Sequence, residues 1–226
     1  MQKTLLTIDT HAGIQDFLPA MWPHYERAGV DILGVERSNK PTRWPKPVPT
    51  IAVGEDLFLR YCQHKHPTLL PERFLDTIKA LLENSQFSEY TDFCVSTWSV
   101  FFTKPLPPPP SNLVLHLAGG PQFNRGFTAP YLFHHPRWFD RAMGATILKT
   151  GRKLISEGRT EQGADDYFFG LIVHVAELKW HNVTTVTMNS MQTPEQIRAA
   201  RKAISDGAWW VGNVKNEVEL ANLTAP

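Results

Sequence analysis

Cysteine, long apolar runs and net charge are all scarce in this sequence, and each shortage removes a class of protein. Cys62 and Cys94 are the only cysteines in 226 residues. They lie far apart in apolar surroundings, which favours free buried thiols in a reducing compartment over a disulfide framework. No apolar stretch approaches the roughly 18 residues that a membrane-spanning helix needs. The opening residues, strand-like with a single Lys, are too short to read as a signal peptide. A cytoplasmic protein with no membrane partner is therefore expected. The formal net charge of +1 gives no global signal for nucleic acid and leaves only local basic patches to consider. No Gly-x-Gly-x-x-Gly follows the first strand and no Walker loop occurs, so neither a dinucleotide fold nor a P-loop NTPase is supported. Nine histidines are present, including His134-His135. Without a His-x-x-x-His or a Cys-x-x-Cys they make no zinc signature.

What remains is a chain with 42% hydrophobic and 20% charged residues, ordinary for a globular protein with a substantial core. Its 18 prolines and seven tryptophans point to long, shaped loops. The periodicity predicts a strand over Lys3–Ile8, a turn at Asp9–Gly13, a helix over Gln15–Ala28 closed by Gly29, and a strand over Val30–Glu36. This is a βαβ unit, with parallel strands and a right-handed crossover. Ligands of such sheets bind beyond the carboxyl ends of the strands, here Asp9–Gly13 and Glu36–Asn39. Ser38–Pro49 is a proline-rich basic loop carrying Lys40, Arg43, Trp44 and Lys46, either a solvated surface loop or a flap over a charged ligand.

Further helices are predicted over Glu55–Gln63, from Pro71 through Leu82, over Pro136–Arg152, over Tyr167–Glu177 and over Pro194–Ser205. Strands are predicted over Leu113–Leu117, Val183–Met188 and Ala208–Val211, with Gln122–His135 a loop. The order argues for a mixed α/β sheet. The stretch from Tyr90 to Pro110 is the most informative. Phe93, Cys94 and Val95, then Val100, Phe101 and Phe102, read as a buried central strand. Ser96-Thr97-Trp98-Ser99 breaks it, and a proline run ends it.

The run from Gly126 to Asp140, followed by Gly144–Leu148 and Gly163–Gly170, resembles nucleotide-sugar glycosyltransferases of the GT-A fold, in particular small bacterial and phage-type members. His11-Ala12-Gly13, Ile32–Arg37 and Trp209–Lys215 fit the same template. The resemblance implies a mixed, mostly parallel central sheet flanked by helices, a Rossmann-like nucleotide-sugar-binding domain over 1–226. Residues 1–110 would form the nucleotide-binding half and 111–226 the acceptor-side half. It further implies transfer of a hexose from a nucleotide diphosphate sugar to a hydroxyl acceptor. Phage-type relatives allow a modified base in DNA as that acceptor, which the basic Arg43/Lys46 and Arg125/Arg137 segments would suit.

In that family a divalent cation (Mn or Mg), held by an acidic motif after the central strand and by a His near the C-terminus, neutralises the leaving diphosphate. Here the first slot holds Thr97-Trp98-Ser99 and the second Gly212, so both sets of ligands are missing. Three readings are open. Cations, with Lys215, Arg37, Arg43 and Lys40 the candidates, replace the metal; the chain is a degenerate module that binds nucleotide, sugar or nucleic acid; or Asp92 or Asp9 carries the metal. The resemblance places Asp9, His11, Gly13, Glu36, Arg37, Arg43, Thr97, Trp98, Ser99, Gly119, Gly120 and Lys215 on the donor. Asp166 or Asp165 would take the acceptor's proton as general base. A helix N-cap is the plain alternative for either aspartate. For the Gly119-Gly120 segment it is a tight turn.

Overall fold

The computed structural model describes residues 2–10, 16–37, 41–54, 69–107, 113–119, 132–160, 165–182, 186–187, 193–212 and 214–224. Strand β1 (Thr4–Asp9), helix α1 (Leu18–Glu26) and strand β2 (Asp31–Glu36) form the expected βαβ unit, with β1 and β2 parallel in the register Asp9↔Val35. Strand β3 (Thr50–Ala52), helix α2 (Leu69–Glu83), strand β4 (Asp92–Thr97) and strand β5 (Phe101–Phe102) follow. Then come β6 (Leu113–Gly119), β7 (Leu132–Asp140), helix α3 (Arg141–Ser156) and helix α4 (Asp165–Val175). The chain continues through β8 (Trp180–Asn182), β9 (Val186–Thr187), helix α5 (Pro194–Ser205), β10 (Trp210–Gly212) and helix α6 (Glu217–Thr224).

Among the described residues, seven strands form the main sheet in the order β3-β2-β1-β4-β7-β6-β8. Its pairs are parallel except where β7 runs against β4 and β6. This is a mostly parallel mixed α/β sheet flanked by helices. Strands β5, β10 and β9 form a second, small sheet. The predicted central strand over residues 93–102 is thus two strands in two sheets, and the polar break is where the chain passes from one to the other.

Alternation along the strands explains the layering, because successive side chains point to opposite faces. Leu5, Leu33, Val35, Phe93, Val95 and Phe139 pack into one core, against α2, α3 and α4. Leu6, Ile8, Cys94 and Trp138 pack into the other, with residues of α1, the small sheet, α5 and α6. Cys94 is a buried free thiol whose pKa burial pushes up; Cys62 and the predicted helix over Glu55–Gln63 lie outside the described residues.

A second predicted element is also corrected. Pro136–Asp140 belongs to strand β7, as do residues 132–135 of the predicted loop, and the helix begins only at Arg141. Trp138 and Phe139 suit a helical face, but in the fold they fill the two opposite cores, which only a strand permits. Asp140, whose Oδ1 accepts the Met143 amide at 2.7 Å, caps the helix. Helix α3 then lies close on α2: a Cβ on Gly151 would come within 2.7 Å of a Leu75 methyl.

The proline-rich loop is docked on the second face over residues 41–49. Trp44 lies across the glycine of β2, donates from Nε1 to Glu36 at 2.6 Å, and meets Trp22 edge-on. A Cβ at Gly34 would overlap the Trp44 ring. Gly34→Ala should therefore cost about 1–3 kcal/mol through overpacking and change the Trp44 fluorescence. An unchanged Tm and emission would show that the loop does not rest there.

Candidate functional site

The chain leaves β1 for β2 on one side while β4 lies on the other, so the topology reverses between β1 and β4. Ligands of open α/β sheets bind in the crevice that such a reversal opens at the carboxyl ends of the strands. At that rim β1 ends in Asp9 and β4 in Thr97, paired in register. The Trp98 amide donates to the Asp9 carbonyl at 3.0 Å, and the Val214 amide to the Ser99 carbonyl at 2.9 Å. Tyr25 donates its hydroxyl to the Trp98 carbonyl, and Trp98 meets Phe17 edge-on. The hydroxyls of Thr97 and Ser99 are 3.2 Å apart. The segment preceding Lys215 is therefore bonded directly to the polar break, joining two stretches more than a hundred residues apart.

Lys215 is exposed, and its ammonium has no carboxylate partner among the described residues. Its backbone is held firmly. The Lys215 amide donates to Glu219 Oε2 at 2.7 Å, the Glu219 amide donates to Asn216 Oδ1 at 2.9 Å, and Glu219 is buried. This is a reciprocal cap at the start of α6, close to a capping box in form.

Across the rim, on the α2 face, Asp9 and Arg37, both expected at the donor site, form a cluster with Arg73, which the sequence did not single out. Asp9 accepts from Arg37 Nη2 at 2.5 and 2.6 Å, and from Arg73 Nη2 and Nε at 2.8 and 3.1 Å. Arg37 also donates to the Val53 carbonyl at 3.0 Å. Burial alone would raise the Asp9 pKa; the guanidiniums of Arg73 and Arg37 outweigh it and hold the carboxyl below its ordinary range. Strand parity contains part of this. Asp9 pairs with Val35, so Arg37, two residues on, falls on the same face. Arg73 comes from α2, and no local pattern marks it.

Beside this cluster stands Arg137 of β7, 0% exposed. Its Nη2 donates to Asp166 Oδ1 at 2.8 Å and to the Phe133 carbonyl at 3.2 Å. The rings of Phe74 and Phe169 lie 4.5 Å from its guanidinium carbon. His135, on the same strand, places Nδ1 at 3.3 Å from the Val95 carbonyl. Arg137, predicted as part of a basic segment for DNA, is instead wholly buried and faces no polyanion. Lys46, of the other such segment, pairs with Glu26 at 2.6 Å; Arg125 lies outside the described residues.

Of the remaining predicted residues, Glu36 bonds the Trp44 indole and Arg43 is exposed on the docked loop. Gly119 is not in a turn: it ends β6, paired with Leu132. Asp165 is the first residue of α4. His11, Gly13 and Gly120 lie outside the described residues.

The two slots that hold the family's cation do not fit one here. The two slots present hydroxyls and a glycine, and both oxygens of Asp9 are taken by arginines. Asp92 opens β4 opposite Thr4, five residues from the Thr97 rim, or about 17 Å along a strand. Asp92 and Asp9 therefore share no ligand set at this rim. Among the described residues, no group of three or more His, Cys, Asp or Glu side chains could hold a metal. No described helix is long and apolar enough to cross a membrane. No family model and no curated protein matches the chain.

Proposed function

We propose that the protein is a GT-A-like hexosyltransferase using a nucleotide diphosphate sugar, with side-chain cations in place of the metal. The observation that carries this reading is the junction of Thr97–Ser99 with the segment leading to Lys215 at the topological switch point. The diphosphate would lie over this junction, with the Lys215 ammonium on its oxygens. The acceptor hydroxyl attacks the anomeric carbon and the bond from that carbon to the phosphate oxygen breaks. The nucleoside diphosphate departs with the bonding pair, and the hydroxyl proton passes to the carboxylate of Asp166 or Asp165.

A second reading is a binding module without catalysis, in which the bond between Asp166 and Arg137 is a purely structural ion pair. Thermal shift and product release separate the two. UDP-glucose at about one hundred times Kd should raise Tm by about 5–10 °C, equally in EDTA and with Mn²⁺. No shift with UDP-glucose or other nucleotide sugars sinks the transferase reading and leaves the module only other ligands, such as nucleic acid. A shift without any release of UDP leaves the binding module. Lys215→Ala should slow UDP release about a hundredfold and leave the Tm of the ligand-free protein unchanged, since its ammonium is exposed.

A further inference from the structure

We infer that Arg137 is the positioning residue of the acceptor-side carboxylate, holding Asp166 in the orientation that transfer requires. The inference rests on the transferase reading and names a residue which that reading leaves unassigned. A planar cation with an aromatic ring 4.5 Å away on Phe74 and another 4.5 Å away on Phe169 has little freedom to turn. Its Nη2 also meets the Phe133 carbonyl of its own strand. The Asp166 oxygen it holds at 2.8 Å is thereby referred to β7, and β7 is paired with β4 at Val95↔Arg137, two residues before Thr97. Asp166 thus takes its position from the central strand as well as from α4.

An N-cap needs none of this, because it accepts from the amides of its own helix. Fixing one carboxylate oxygen sets the plane of the group, and with it the line along which a hydroxyl must approach to give up its proton. The same arrangement ties the two sides of the rim together. Arg73 holds Asp9, and the next residue, Phe74, carries Arg137. Consecutive residues of α2 therefore support the donor side and the acceptor side.

The test uses the full chain with UDP-glucose as donor and water standing in for the acceptor hydroxyl, reading UDP release and the UDP-glucose-induced thermal shift. Arg137→Lys keeps the charge but loses the planar fork and its stacking. It should lower kcat about a hundredfold with KM and the thermal shift unchanged. Arg137→Met combined with Asp166→Asn removes both charges. This double variant should recover the Tm that Asp166→Asn alone loses, without recovering UDP release. Wild-type kcat in Arg137→Lys, or release restored in the double variant, would show a purely structural ion pair and overturn the inference. A wild-type protein that releases no UDP from UDP-glucose or other UDP-sugars overturns the transferase reading, and the inference with it. An active wild type beside an unaffected Arg137→Lys overturns the inference alone.

Discussion

Asp9→Asn should cost about 3–5 kcal/mol of folding stability at neutral pH, the range for removing one partner of a buried ion pair. Arg37 is 2% exposed, and its guanidinium has both carboxylate oxygens within hydrogen-bond distance. In the variant, an amide NH₂ would face donors where an oxygen accepted before, and the Asp9 charge between the two guanidiniums would be gone. Such a loss is a large share of the roughly 5–15 kcal/mol that holds a domain folded. Arg37→Met should cost less, because Asp9 keeps Arg73, and Arg73→Met least, because the Arg73 side chain is 17% exposed. The linkage agrees in sign. A carboxyl whose folded pKa lies below its unfolded value contributes stability above about pH 4 and loses it as pH falls through the folded pKa. At pH 7 the contribution is fully present. Urea denaturation at neutral pH measures it, and a loss under about 1 kcal/mol, the scale of an ordinary substitution, would mean that the arginines are held by other groups.

That cluster also marks how far the sequence could be read. The βαβ unit, its parallel pairing and the location of a rim at Asp9 all follow from local periodicity and the handedness of crossovers. The convergence of Thr97–Ser99 with Gly212–Lys215 came from the template, and the hydrogen bond between Ser99 and Val214 places the two segments together. What the sequence hid depends on long-range pairing. Pro136, Trp138 and Phe139 satisfy a helical stripe as well as a two-sided strand, and only β4 and β6 on either side decide between them. Likewise, Arg137 beside Trp138 resembles a surface cation until Phe74 of α2 and Asp166 and Phe169 of α4 are brought around it. Val100–Phe102 has strand character wherever it lies; the small sheet exists only because β10 pairs with it.

Acid should destabilise the protein in two separable steps, the first set by His24. This imidazole is 7% exposed on α1, lies 4.2 Å from the Phe101 ring centroid, and its Nδ1 has no hydrogen-bond partner among the described residues. Burial, and then the nearby Arg27 charge, push its pKa from 6.5 down to about 4. Arg27 lies over the same Phe101 ring at 5.9 Å, so a protonated His24 would bring a second cation to that ring. The sign follows directly. Between pH 6.5 and about 4 the unfolded chain takes up a proton at His24 and the folded chain does not, so stability falls as pH falls. At 1.36 kcal/mol per pH unit the loss reaches about 3 kcal/mol near pH 4. The Asp9 contribution disappears only below that range, which separates the two steps. His24→Phe preserves an aromatic contact with Phe101 and removes the titration. The variant should hold its urea midpoint between about pH 6.5 and about pH 4 better than the parent, by an amount matching that loss. An identical acid decline in both proteins would assign the step to other groups.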